Sequence, residues 1–319
     1  MDETINILCA TDNKYAPYCG VMLTSLFDNN RHLHFEVFVL CDDSLSELNV
    51  RRFNSLGKKY KNEIFIKIVE ASMVKGFPIT DGLGITMPTY YRLLAAELLP
   101  VHIHRVIYFD CDIVVKGDIL PLWELDLKGK AVAGVRDSSF RNECERLGYD
   151  SSYGYVNAGV LVCDLDYWRA NQIGERFMEY IQINKDDGTK LHYMDQDTLN
   201  AVLFDNKEIV PIRYNYQMMY LTKYYSKDYS SSFMREVLEN RNTPVVIHYS
   251  GGVKPWHWRY YGLPYRRDWL KACKRSKWPC AYRYAPVSKY IKFLMKLVVA
   301  RKQLIKDRQS TYIPELYSL

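Results

Sequence analysis

Two stretches carry residues whose types and spacing can do chemistry. In VIYFDCDIVV (106–115) an apolar run ends in Asp110 and Asp112, one residue apart. Val106, Ile107, Tyr108 and Phe109 are β-branched or aromatic and read as a buried strand, so alternation puts both aspartates on one face and Cys111 on the other. Carboxylates that close repel each other unless a cation sits between them, a proton is shared or water screens both. The plain alternative is an acidic turn in solvent, and a lone D-x-D does not decide between the two. In HYSGGVKPW (248–256) a histidine closes an apolar strand, two glycines follow, and a lysine comes next. His248 is a candidate third ligand for a hard or borderline divalent ion, with phosphate oxygens completing the shell. Gly251 and Gly252 permit close backbone approach, and Lys254 supplies a cation. Together the two stretches suit a metal-held polyphosphate. Taken singly, His248 reads as a hydrogen-bonded structural histidine and Lys254 as an ordinary surface lysine.

The elements that would position these residues alternate along the first half. INILCA (5–10), FEVFVL (35–40), EIFIKIVE (63–70) and RVIYFD (105–110) read as strands. One helix opens at Pro17, since proline suits the first helical position. Another is expected from Ser44, three residues before Glu47 as in a capping box. MPTYYRLLAAELLP reads as a third. The alternation predicts βαβ units, hence an α/β fold with a mainly parallel, mixed sheet whose ligands gather at the carboxyl ends of the strands. Asp12, just past the first strand, would share that edge with Asp110 and Asp112, although such an aspartate also serves as a turn or cap residue. Farther on, YVNAGVLVCDL (155–165) and PVVIHYS (244–250) read as strands and DYWRANQIGERFMEYI as one helix. DQDTLNAVLF reads as a helix start in which Asp195 and Asp197 are candidate caps.

Composition limits the classes. The chain has 319 residues, 48% hydrophobic and 25% charged, the profile of a folded protein rather than a disordered one. It lacks a run of about 18 apolar residues, and MDETINILCA has neither the basic start nor the apolar core of a signal peptide, so a cytosolic protein is expected. None of the eight cysteines forms a C-x-x-C pair, which argues against a zinc ribbon or a dithiol motif and for free thiols. Neither a G-x-G-x-x-G after the first strand nor a G-x-x-x-x-G-K-[ST] is present, but a nucleotide diphosphate gripped through a metal needs neither. From Arg266 to Arg308 there are fourteen Lys and Arg against two Asp, so this stretch carries +12 within a net +6 and leaves −6 on the rest of the chain. A boundary is therefore expected near residue 265, with 266–319 as a basic, aromatic tail. In VSKYIKFLMKLVVARKQLIK (287–306) apolar residues recur at helical spacing opposite Lys289, Lys292 and Lys296, which suits an anionic membrane surface. Packing on the body is the alternative, and nucleic acid is not an expected partner, because no recognised module accompanies the charge.

CATDNKYA (9–16), YYRLLAAELLP (90–100), VIYFDCDIVVKGDI (106–119), VNAGVLVCDL (156–165), MDQDTLN (194–200) and HYSGGVKPWH (248–257) occur in an order and at spacings that resemble glycosyltransferase family 8. Within it they look most like the bacterial lipopolysaccharide and lipooligosaccharide hexosyltransferases. The resemblance implies a Rossmann-like GT-A fold over residues 1–265. It implies retaining transfer of galactose or glucose from a UDP-sugar, with Mn²⁺ or Mg²⁺, to a glycan or glycolipid acceptor at the inner face of the cytoplasmic membrane. Carried over by position, Asp110, Asp112 and His248 would hold the metal, with Cys111 between the first two against the nucleotide. Ala10, Thr11, Asp12 and Tyr15 would hold uracil and ribose. Arg92, Asn157, Ala158, Asp195 and Gln196 would surround the donor sugar, and Gly251 and Lys254 the diphosphate. Lys14 departs from the asparagine often found at its place. Cleavage develops negative charge on UDP, which a metal and Lys254 would stabilise, and positive charge on the sugar ring, which Asp195 or Gln196 would face. An amide is a poor nucleophile, so attack on the face that UDP leaves is expected. Two alternatives use the same residues. One is a haloacid-dehalogenase-like phosphatase with Asp110 as nucleophile, although that family places the motif on its first strand. The other is a non-catalytic, membrane-attached binder of UDP or glycan.

Overall fold

The computed structural model describes residues 4–79, 86–222, 229–257 and 264–276, with Trp278, Ile291 and Met295. Its strands are Thr4–Thr11 (β1), His34–Cys41 (β2), Glu63–Ile68 (β3), Arg105–Phe109 (β4), Ile113–Val115 (β5), Val132–Arg136 (β6), Val156–Asp164 (β7), Lys207–Val210 (β8), Tyr216–Gln217 (β9) and Val246–His248 (β10). Seven of them form one sheet in the order β3-β2-β1-β4-β7-β6-β8, and β5, β10 and β9 form a second, three-stranded one. The first four strands run parallel, as the alternation predicts. The sheet then turns mixed, because β7 runs antiparallel to both β4 and β6 while β8 is parallel to β6. β1, β4 and β7 are near-continuous apolar runs because both of their faces are covered.

The helices are Ala16–Asn29 (α1), Glu47–Tyr60 (α2), Ala95–Leu98 (α3), Leu120–Trp123 (α4), Phe140–Leu147 (α5), Leu165–Ala170 (α6), Ile173–Asn184 (α7), Asp195–Val202 (α8), Ser231–Asn240 (α9) and Arg266–Ser276 (α10). Pro17 stands in the first turn of α1 as expected. The cap of α2 is Ser46, whose side chain accepts from Asn49 N, rather than Ser44, whose hydroxyl is captured by Asp42. The expected helix around Arg92 winds as a 3-10 helix over Met87–Leu94 before α3. In that winding residues three apart eclipse, which stacks Arg92 over Thr89. The expected single helix after β7 is two, α6 and α7, broken where Gln172 takes a left-handed φ of 51°.

Two further expectations are corrected. β4 stops at Phe109, so Asp110 to Asp112 form the turn that carries the chain from the large sheet into β5 of the small one. Cys9, Cys19, Cys41, Cys111, Cys144 and Cys163 are free buried thiols, whereas Cys273 is disulfide-bonded. At the C-terminal end α10 docks on α1 and buries Trp269 beside Tyr18 and Trp256. The amphipathic stretch 287–306 lies outside the described residues except for Ile291 and Met295, both exposed. Among the described residues no helix is long and apolar enough to cross a membrane.

Candidate functional site

Strand register brings the two motifs together. Antiparallel pairing of β5 with β10 sets Ile113 opposite His248, and Tyr249 N donates to Asp112 O at 3.0 Å. Asp110 N donates to Gly159 O on β7 at 2.9 Å. His248 Nε2 lies 3.3 Å from Asp112 Oδ1 and 3.8 Å from Asp110 Oδ2, and one ligand atom from each of the three falls within 4.8 Å of the others. The histidine tautomer follows from a chain of polarities that starts at a backbone donor. Gly159 N–H donates to Asn157 Oδ1 at 3.0 Å, and Asn215 Nδ2 donates to the same oxygen at 2.9 Å. Asn215 Oδ1 is then left as an acceptor, 3.0 Å from His248 Nδ1. Nδ1 therefore carries a hydrogen, and Nε2 faces the aspartates, donating to Asp112 when the ring is charged and free to give its lone pair to a cation once that proton leaves. Two carboxylates and an imidazole oriented in this way fit a hard or borderline divalent cation.

Gly159 is a glycine because His248 lies against it: a Cβ there would sit 2.3 Å from His248 Cε1. Gly159→Ala should push the ring off its ligand position and weaken Mn²⁺ binding by about 10-fold or more, as read by titration calorimetry. Unchanged affinity would remove His248 from the ligand set.

Charge around these three side chains is arranged in two arms. Lys254 Nζ lies 2.5 Å from Asp112 Oδ2 and also donates to Tyr249 O at 3.1 Å. Burial pushes the Asp112 carboxyl up, but Lys254 and His248 outweigh it and hold the group well below the usual carboxylate range. On the other arm Arg92 Nη2 lies 2.9 Å from Asp110 Oδ1, which also accepts from Tyr108 OH, and the guanidinium stacks 4.2 Å from the Tyr108 ring centroid. Burial opposes the charge of Arg92, yet Asp110 and Asp195 push its pKa above the ordinary arginine value.

Arg92 Nε lies 3.0 Å from Asp195 Oδ2, but its N–H points at Thr89 O, 2.9 Å away. The Asp195 Oδ2 atom thus feels a charge without accepting a hydrogen bond, while Oδ1 accepts from the Thr89 hydroxyl at 2.8 Å. Burial pushes the Asp195 carboxyl from 3.8 up to about 6, against the pull of Arg92. Between those values the folded chain holds a proton that the unfolded chain has lost. Stability from this group is thus present at low pH and is lost as pH rises through about 6. In metal-free protein, wild type should lose about 3 kcal/mol relative to Asp195→Asn between pH 4 and 7 in urea titrations. A pH-independent difference would contradict the burial argument.

The sugar-side candidates also converge. The β6–β7 pairing slips between Gly134 and Val135, so Val135 faces Asn157 after Gly134 faces Leu161, a bulge that turns Asn157 and Ala158 toward α8. Gln196 Oε1 accepts from Ala158 N at 3.0 Å and from Asn157 Nδ2 at 3.1 Å. Its Nε2 donates to Tyr155 OH at 3.1 Å and Asp137 Oδ2 at 3.3 Å. Neither Asp195 nor Asp197 is the cap of α8; that position is Met194, and its side chain makes no cap bond.

At the end of β1, Asp12 Oδ1 accepts from Tyr15 N at 2.7 Å, so one carboxylate oxygen does serve the turn into α1. Burial, with the charge of Asp112 next, pushes the Tyr15 phenol above its ordinary value. Ala10 and Thr11 close β1, and Ala10 O accepts the Cys111 thiol at 3.2 Å, so the Cys111 side chain turns into the core. Gly251 takes a left-handed φ of 92° on the exposed loop between His248 and Lys254. The pattern of residues passed over Asp137, Tyr155, Asn215 and Thr89. Asp137 follows β6 as Asp12 follows β1, a signal open to sequence reading; the other three carry none.

The family model for glycosyl transferase family 8 matches residues 6–259. General stress protein A of Bacillus subtilis (strain 168) is 30% identical over 281 residues, spanning 87% of this chain and 96% of that protein. Lipopolysaccharide 1,2-glucosyltransferase of Escherichia coli (strain K12) is 30% identical over 280 residues, 86% of this chain and 79% of the relative. Among solved structures, galactosyltransferase LgtC in complex with donor and acceptor sugar analogues superposes with a TM-score of 0.72 at 24% identity. It covers 88% of this chain and 98% of its own, a likeness of fold.

Proposed function

Because the chain belongs to glycosyl transferase family 8, we propose that it is a retaining hexosyltransferase. It moves galactose or glucose from a UDP-sugar to a glycan or glycolipid acceptor of the lipopolysaccharide kind. The observation that carries this reading is the meeting of Asp110, Asp112 and His248 at one point with Lys254 beside them. Mn²⁺ bound there, or Mg²⁺ in its place, would supply Lewis-acid stabilisation to the leaving diphosphate. Lys254 and the backbone at Gly251 hold the diphosphate oxygens. Ala10, Thr11, Asp12 and Tyr15, with the backbone at Cys111, hold uracil and ribose. Arg92, Asp195, Asn157 and Ala158 frame the hexose, and a sugar hydroxyl gives Asp195 Oδ2 the hydrogen bond that it lacks. Gln196 Oε1 already accepts two hydrogen bonds, which supports attack by the acceptor on the departing face over attack by the amide.

The catalytic body is residues 1–265 with α10 of the segment 266–319 docked on it, and the rest of that segment meets an anionic membrane surface at the inner face of the cytoplasmic membrane. The excess of +12 between Arg266 and Arg308 and the exposure of Ile291 and Met295, one helical turn apart, support that placement. The test is UDP release from a panel of UDP-hexoses. One of them should be hydrolysed slowly without acceptor when Mn²⁺ is supplied, and chelation should stop it. No release from any, with or without a lipopolysaccharide acceptor, refutes the proposal.

A further inference from the structure

We propose that Asp197 and Tyr155 are positioning residues that fix which way the Gln196 carboxamide faces in the donor-sugar site. The proposal rests on the transferase reading above.

Asp197 follows Gln196 directly, yet its side chain has no access to solvent. Its carboxylate is held from three sides. Arg146 Nη2 on α5 lies 2.5 Å from Oδ1, Tyr155 OH donates to the same oxygen at 2.6 Å, and Tyr193 N donates to Oδ2 at 2.7 Å. Arg146 is held in turn by Glu143 at 2.6 Å and by the carbonyl of Thr189. A carboxylate cannot donate, so the Tyr155 hydroxyl proton is committed to Asp197. Burial, with Asp197 and Asp137 beside it, pushes the Tyr155 phenol well above its ordinary value, and the proton stays. What Tyr155 offers to Gln196 is therefore an oxygen lone pair, which only the NH₂ end of the amide can meet.

The opposite end is fixed by a donor that cannot turn, the backbone N–H of Ala158. With the amide reversed, Gln196 Oε1 would face the lone pairs of Tyr155 and the carboxylate of Asp137, and its NH₂ would face two further donors. The orientation of one amide thus traces back through Tyr155 and Asp197 to the charge of Arg146. The same carboxylate secures the backbone. Its bond to Tyr193 N spans Met194, a non-glycine residue at φ 51° and ψ −112°, immediately before Asp195 and Gln196. A conformation that L-residues rarely adopt persists where the surroundings over-determine it.

The test compares wild type, Tyr155→Phe, Gln196→Ala and the double variant by Mn²⁺-dependent UDP release over a range of donor concentration. Tyr155→Phe removes one oxygen and should lower kcat about 10-fold with the donor KM within about twofold. On the Gln196→Ala background it should add less than about a twofold loss, because the two act as a unit. A purely structural hydroxyl would lower kcat equally on both backgrounds, and that result overturns the proposal. If Tyr155→Phe does not fold, Asp197→Asn, which keeps the shape and removes the charge, takes its place in the same cycle. A crystal structure of the variant reads the amide without turnover. An unmoved Gln196 carboxamide overturns the proposal whatever the rates, and a turned one supports it. Wild type that releases no UDP sinks the transferase reading instead, and the crystal structure then decides the positioning by itself.

Discussion

Asp112→Ala should lower Mn²⁺-dependent UDP release by about 1,000-fold, the scale of about 4 kcal/mol in a barrier. The substitution strikes three things at once. It removes one of three converging ligand atoms, and it takes from Lys254 the carboxylate 2.5 Å away that aims its ammonium at the site. It also deprives His248 Nε2 of its nearer carboxylate. The wild-type Asp112 carboxyl is held so far below its usual range that it stays ionised throughout the working pH range. An amide in its place, Asp112→Asn, should therefore restore little. The measurement is single-substrate UDP release with Mn²⁺ at saturation, together with a melting curve to confirm the fold. Rates within about tenfold of wild type would remove Asp112 from the metal-binding set.

Arg92→Leu should destabilise the metal-free chain by about 3–5 kcal/mol, the scale for removing one partner of a buried ion pair. Arg92 is nearly inaccessible and faces two carboxylates, Asp110 at 2.9 Å and Asp195 at 3.0 Å. Leucine fills much of the volume but leaves Asp195 buried beside a second carboxylate with no cation between them. Asp195 already titrates near 6, and loss of the guanidinium pushes it higher. The stability deficit should therefore shrink when the urea titration is repeated at pH 5, where the carboxyl takes up a proton. A loss under about 1 kcal/mol, or one that grows on acidification, would show that Arg92 does not compensate these groups.

Much of the large sheet can be read from the chain, because buried parallel strands must be apolar runs and the helices between them carry their own start signals. Asp110, Asp112 and His248 were likewise legible as residue types. Their meeting was not, since it depends on β5 pairing with β10, and hydrophobic pattern carries no register between strands so far apart. The expected alternation of D-C-D along a strand gave way to a turn for the same reason: the chain leaves one sheet for another at that point. Local rules failed where longer-range partners won. Ser44 has the spacing of a cap but is captured by Asp42. Asp197 reads as a candidate cap but lies inside α8 and is held by Arg146 and Tyr155, from segments that no local window contains. Asn215 sets the tautomer of His248 from an unremarkable RYNY stretch, a role that depends on three-dimensional contact alone.

The three converging side chains also straddle a seam. Asp110 follows β4 of the seven-stranded sheet, Asp112 leads into β5 of the three-stranded one, and His248 closes β10 of that same small sheet. Shear between the two layers would pull the trio apart, and closing it on a shared ligand rivets one layer to the other. A cation held by all three would therefore also brace this joint, and its departure would free the two sheets to shift against each other.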